Sequence, residues 1–294
     1  MLLPVQGTHV FKSPYLLMVL VVSAAAGCAG HRAHLTNWAP CADLVGKDVI
    51  FAVDGAGNFQ ECSKALRRAV KDGNLPCYVE TVEWSHAFPW RPRTIWTDHT
   101  DMTNAEEQGK LLAERVLTYR KCCPDRTIVI AGHCSGSNIV LHAVDYLPIG
   151  SVDHIILLAP SVSEDHDLRN ALRASRHGVD VYYSGRDWFH LGALTSLFGN
   201  ADRHWRPAAG RVGFKPVGDT DDDVALYANL RQHPWKPNFL WTGNEGGHFG
   251  AYSSSFLLSY VLNFEDDAAH PAWRPHGDSE LAEPGPVPDK KTSN

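Results

Sequence analysis

Several common machineries are missing from these 294 residues, which carry a formal net charge of −6. No basic stripe is available to neutralise phosphates, which excludes a nucleic-acid partner. No Walker sequence occurs, and the glycine pair Gly55 and Gly57 lacks the third glycine of a dinucleotide-binding turn. The acidic runs Asp98–Asp101, Glu164–Asp167 and Asp219–Asp223 lack metal-ligand spacing. The last has Val224 where a calcium loop needs glycine. Neither a metal nor a cofactor is expected, and no internal repeat is present. No apolar run reaches the roughly 20 residues of a spanning helix.

What is present is a strand-like run, Thr127 to Ala131, entering Gly132, His133, Cys134, Ser135 and Gly136, and then a helical stretch. This pattern is a nucleophile elbow with sulfur where oxygen is usual. Small residues flank the nucleophile by two positions because strand and helix nearly touch there. Cys134 is the candidate nucleophile. At a helix N-terminus its thiolate is favoured, and the Ser135 N–H faces a developing oxyanion. The competing reading is a small buried cysteine on a tight turn.

Two further groups follow at strand ends. Asp187 ends the β-rich run Val179–Tyr183 plus its glycine turn, and His248 lies in a glycine-rich loop, one of 16 histidines. Asp187 is the candidate acid and His248 the candidate base. An earlier strand, 48–53, leads to Gly55, Ala56 and Gly57, where Ala56 or Gly57 is expected to supply a second oxyanion N–H.

On these motifs the chain resembles the α/β-hydrolase superfamily over about 46–264, more closely bacterial members with Gly-His-Ser-x-Gly at the elbow. The cysteine is similar to that of dienelactone hydrolases. The resemblance implies the roles Cys134 nucleophile, Asp187 acid and His248 base. The segment Gly210–Pro216 also resembles that group, without an assignable role.

Alternating strand and helix signals predict an α/β fold with a mostly parallel central sheet, helices on both faces, and a small cap or long loop insertion. Strands are expected near 48–53, 77–83, 126–131, 153–159, 179–184 and 237–242, and helices near 59–72, 104–121, 135–147, 166–176 and 250–263. Insertions at 84–102 and 188–236 are rich in tryptophan, the second being the expected cap, and large apolar residues near the acid suggest a pocket for an acyl or aromatic group. Residues 265–294, acidic and proline-rich, read as a disordered tail.

The first 28 residues read as an export signal: Lys12 precedes the apolar run Tyr15–Gly27, and Ala25, Ala26, Gly27 and Cys28 resemble a lipobox, making Cys28 the candidate lipidated residue. The alternatives are a plain cleaved signal or an uncleaved anchor. Residues 29–45 read as a linker. The expectation is an exported, cell-envelope protein, with a membrane partner through this anchor. In an oxidising compartment the seven cysteines matter. Setting aside Cys28 and Cys134 leaves an odd number, Cys41, Cys62, Cys77, Cys122 and Cys123. The sequence assigns no bridge, although Cys62 and Cys77, flanking one helix and the next strand, are the attractive pair. A reactive Cys134 there needs shelter in a narrow pocket.

The expected chemistry is acyl transfer to water from a small-molecule ester, lactone or thioester through an acyl-thioester. The alternatives are acyl transfer to another acceptor by the same residues, or a silent hydrolase-like binding protein. Oligomeric state is not legible.

Overall fold

The computed structural model describes residues 38, 40, 44–57, 59–86, 92–195 and 199–263. The signal segment with Cys28, Cys41, and the 265–294 tail lie outside the described residues. Among the described residues no helix is long and apolar enough to cross a membrane.

Six strands form one sheet: β1 Asp48–Val53, β2 Cys77–Thr81, β3 Ile128–His133, β4 His154–Leu158, β5 Val179–Tyr183 and β6 Leu230–Pro234. Every pairing is parallel, in the spatial order β2-β1-β3-β4-β5-β6. The four inner strands are apolar runs because both faces are covered. Alternation sorts their side chains into two cores. Phe51, Ile130, Ile155 and Val181 meet α3 (Met102–Cys122), α4 (Gly136–Val144) and α5 (Arg169–Ala174) on one face. Ile50, Val129, Ile156 and Tyr182 meet α1 (Glu61–Asp72) and α8 (Ser254–Phe256, continuing as a π-helical turn Leu257–Val261) on the other. The stretch read as a linker contributes to the first core: Leu44 is fully buried, and Trp38 packs edge-on against Phe51.

Between β2 and α3 lies α2 (Pro92–Thr100), a helix inside the segment read as an insertion. Its sequence carries proline near its start and too short an apolar periodicity to stand out. Two short helices, α6 (Ala209–Val212) and α7 (Asp221–Tyr227), fall within the expected cap. The segment Gly210–Pro216 thus gains a place: Gly210 packs against Ala159 and Pro160, so closely that a Cβ would lie 2.4 Å from the Ala159 carbonyl carbon.

Four expectations are corrected. The last strand is Leu230–Pro234, whereas 237–242 is a 3-10 turn, Pro237–Thr242. The run Phe239, Leu240, Trp241 looks like buried strand, yet only Phe239 is buried and Trp241 is 90% exposed. The true edge strand was hidden by polar residues, two of which, Arg231 and His233, bond the buried carboxylate of Asp180. The expected helix 166–176 shrinks to α5. That at 250–263 breaks at Ser253, whose hydroxyl caps the Phe256 N–H. Cys62 and Cys77 are free thiols. Both are buried in the second core, and burial pushes Cys77 up to about 12 and Cys62 well above the ordinary thiol value.

Candidate active site

β3 ends at His133, and the chain then turns through Cys134 at φ 53°, in the left-handed region that costs a non-glycine residue energy. The neighbours hold it there. The Cys134 N–H donates to the Leu158 carbonyl at 3.1 Å, and the Cys134 carbonyl accepts from Ser137 and Ser161 at 3.1 and 3.2 Å. A Cβ on Gly136 would lie 2.3 Å from the Val53 carbonyl oxygen, and one on Gly132 2.9 Å from the Cα of Ser137. Both glycines are therefore required by the close passage of α4 over the sheet.

At the end of β5 the turn Ser184–Asp187 buries the Asp187 carboxylate, which accepts from His248 Nδ1 at 2.6 Å. His248 comes from the loop after β6 and lies close enough to Cys134 for each to shift the other's ionisation. Cysteine, aspartate and histidine thus come together in chain order past the carboxyl ends of β3, β5 and β6, on the sheet order of a single doubly covered parallel layer. The fold is that of an α/β-hydrolase.

Within the hydrolase fold the electrostatics favour an ion pair. Burial opposes charge on His248, but the adjacent sulfur and the Asp187 hydrogen bond outweigh it and push His248 up to about 10. Burial also opposes the thiolate of Cys134, yet the neighbouring His248 and the Ser135 N–H hold the thiol below its ordinary value.

The His248 loop is braced by His133 of the elbow and by His190. His133 Nε2–H donates to the His248 carbonyl at 3.0 Å, which leaves Nδ1 to accept from the Tyr252 hydroxyl at 3.4 Å. Burial first, then the positive charge of His248, lowers His133 to about 3, so it is a neutral brace. His190 stacks on His248 with centroids 4.6 Å apart and planes 18° apart, its Nδ1 3.8 Å from Asp187. Asp187, His190 and His248 bring donor atoms together as metal ligands would. The near-parallel rings do not aim their in-plane lone pairs at one point, however, and the Nδ1 of His248 already donates to Asp187. That geometry does not suit a tetrahedral cation.

The oxyanion expectation is corrected in one part. The Gly57 N–H donates to Asp98 Oδ2 at 2.8 Å and is not free for a substrate. Of the two expected second donors, Ala56 is the candidate left. The loops of Ala56 and Ser135 touch, since a Cβ on Gly55 would lie 3.7 Å from the Cys134 sulfur. Asp98 and His99, which belong to the acidic run Asp98–Asp101, both lie in this wall. Only the pairing of α2 with two distant loops reveals them.

No family model matches the chain, and no curated protein matches it. Among solved structures it is similar to a cutinase from Trichoderma reesei in complex with a phosphonate inhibitor, at 16% identity and a TM-score of 0.32 over 48% of this chain. The chain spans about three-fifths of that cutinase, 61% of its length. It is also similar to the catalytic core domain of acetyl xylan esterase from Trichoderma reesei, at 12% identity and a TM-score of 0.38, covering 73% of this chain and 98% of that one. A lipase-esterase related protein from Clostridium acetobutylicum gives 11% identity and a TM-score of 0.37 over 71% and 90% of the two chains.

Proposed function

We propose that the protein hydrolyses carboxylic esters, lactones or thioesters through a Cys134–His248–Asp187 triad and an acyl-thioester intermediate. The observation that carries this reading is a buried histidine, near enough to the elbow cysteine to act on its ionisation, whose Nδ1 donates to Asp187 at 2.6 Å. The Cys134 thiolate attacks the carbonyl carbon, forming the C–S bond while the C–O π pair moves onto oxygen. The N–H groups of Ser135 and Ala56 receive that oxyanion. The intermediate collapses, the leaving alkoxide takes the proton from His248, and neutral His248 then removes a proton from water as it attacks the thioester. Expulsion of acid returns the thiolate and the protonated His248. A thiolate leaves more readily than an amine, so esters and thioesters suit this nucleophile better than amides.

Exposed rings lie beside the triad. Phe249 stands 5.2 Å from His248 by ring centroid, and Trp188 and Phe189 form an edge-on pair at 6.0 Å. They support an apolar or aromatic group in the substrate. Export, with anchoring at the cell envelope through Cys28, belongs to the same proposal and rests on the N-terminal sequence alone.

The test is turnover of p-nitrophenyl esters and acyl thioesters, with and without reductant, by wild type, Cys134→Ala and Cys134→Ser. Reductant-dependent turnover that vanishes in the alanine variant supports the proposal. No wild-type turnover across the reduced panel, with activity gained in Cys134→Ser, refutes the thiol mechanism.

A further inference from the structure

Two adjacent residues of α2 reach two different loops of the site. Asp98, almost fully buried, accepts the Gly57 N–H at 2.8 Å and the Ser85 hydroxyl at 2.7 Å through Oδ2, and the His86 N–H at 3.0 Å through Oδ1. Its neighbour His99 sits 2.8 Å by Nδ1 from the Ser135 hydroxyl and 3.1 Å by Nε2 from the Gly199 carbonyl. A carbonyl only accepts, so Nε2 carries the proton, and the neutral ring's Nδ1 must accept from Ser135. Burial lowers the His99 pKa and keeps the ring in that form. The proton of the Ser135 hydroxyl is therefore committed to His99, although its oxygen lies only 3.8 Å from the Cys134 sulfur.

We infer that Asp98 and His99 form a clamp that sets the two halves of the oxyanion hole at a fixed distance, making both positioning residues for the reaction proposed above, on which the inference rests. Fixing the Gly57 N–H on Asp98 fixes the preceding peptide, and with it the loop that carries the Ala56 N–H. Fixing the Ser135 side chain on His99 orients the residue whose N–H is the other donor. Because Asp98 and His99 are consecutive on one helix, the two loops cannot shift independently. Preorganisation of this kind matters because a donor displaced by about 1 Å loses on the order of a hundredfold in rate.

The clamp also solves an electrostatic problem. A carboxylate one hydrogen bond from an oxyanion site would repel the charge that develops there. His86 offsets it: its Nδ1 lies 2.8 Å from Asp98 Oδ1 and its Nε2 3.0 Å from Asp101 Oδ2. With an acceptor at each nitrogen the ring must donate from both, and it is an imidazolium. The hydrogen bond to Asp98 is the main cause that raises its pKa, against the opposing effect of burial.

The experiment compares two reactions of Cys134 in the full chain, followed by mass spectrometry of its peptide. Alkylation by iodoacetamide needs only the thiolate. Reversible addition of hexanal forms a C–S bond and moves the carbonyl π pair onto an oxygen held in the hole, so it is read as protection against alkylation. In Asp98→Ala and His99→Ala, protection by hexanal is expected to weaken by about tenfold to a hundredfold, while alkylation without hexanal changes by no more than about twofold. Asp98→Asn and His99→Asn, which each keep one acceptor and conserve the fold more closely, should recover part of the protection. Equal loss in both reactions, or unchanged protection, overturns the clamp. Absence of hexanal protection in wild type also overturns it. Protection that follows the clamp in a protein without ester turnover would sustain the inference while refuting hydrolysis.

Discussion

The centre of the sheet and its β6 side position the site by different means. At the centre, Cys134 is held by backbone: its N–H and carbonyl bond to Leu158, Ser137 and Ser161, and Gly132 and Gly136 let strand and helix close around it. On the β6 side, His248 is held by side chains, with Asp187 at one ring nitrogen, His133 at its carbonyl and His190 stacked on its face. Backbone placement is set by a local sequence pattern and fails as a unit when a glycine is lost. Side-chain placement is assembled from distant residues and can fail one bond at a time.

The largest expected effect sharpens that difference. Asp187→Asn replaces the carboxylate that accepts from His248 with an amide that can instead donate to the ring and hold the wrong tautomer, and should lower kcat for ester hydrolysis by about 10⁴-fold with the melting temperature nearly unchanged. Gly136→Ala should do the reverse. Its new Cβ would lie 2.3 and 2.4 Å from the Val53 and Asp54 carbonyl oxygens. A loss of about 3 kcal/mol in urea unfolding is expected. If Asp187→Asn lowers stability as much as Gly136→Ala does, the contrast between the two regions is wrong.

Acid probes the brace between them. The folded pKa of His133 is about 3, far below its ordinary value, so below pH 6.5 the unfolded chain binds a proton that the folded chain refuses. Stability should fall as pH drops from 6.5 towards 3. Between pH 6.5 and 5 the loss is about 2 kcal/mol from this residue. His133→Gln should flatten that part of the curve, as read by urea unfolding at each pH.

The pH profile of ester turnover tests the ion pair directly. kcat/KM should rise as Cys134 deprotonates, at a pH below that of an ordinary thiol, and fall as His248 loses its proton near 10. An acid limb at the ordinary thiol value would show that His248 does not stabilise the thiolate. The smallest effect is expected at Trp241, 90% exposed on the 3-10 turn once read as a strand. Trp241→Ala should change stability by less than about 0.5 kcal/mol.

Much of the centre was legible because its signals are local. The apolar runs of β1, β3, β4 and β5 and the glycine spacing around Cys134 all lie within a few residues of what they specify. The β6 side was not. β6 is half-polar because Arg231 and His233 bond to Asp180, a partner about fifty residues away in sequence, so its strand period is masked. Asp98 and His99 looked like part of a solvated acidic run because nothing in their neighbourhood announces that Gly57 and Ser135 will be their partners.

By itself, then, the sequence determined the parallel sheet, the elbow with Cys134 at its tip, and the order in which Asp187 and His248 follow, since hydrophobic period, glycine spacing and strand ends are properties of short segments. Only the tertiary structure decided that the Gly57 N–H serves Asp98, that Cys62 and Cys77 stay unbridged, and that α2 reaches both the Gly57 loop and Ser135. Those outcomes turn on which distant donor meets which acceptor once the chain is packed, and no local pattern encodes that pairing.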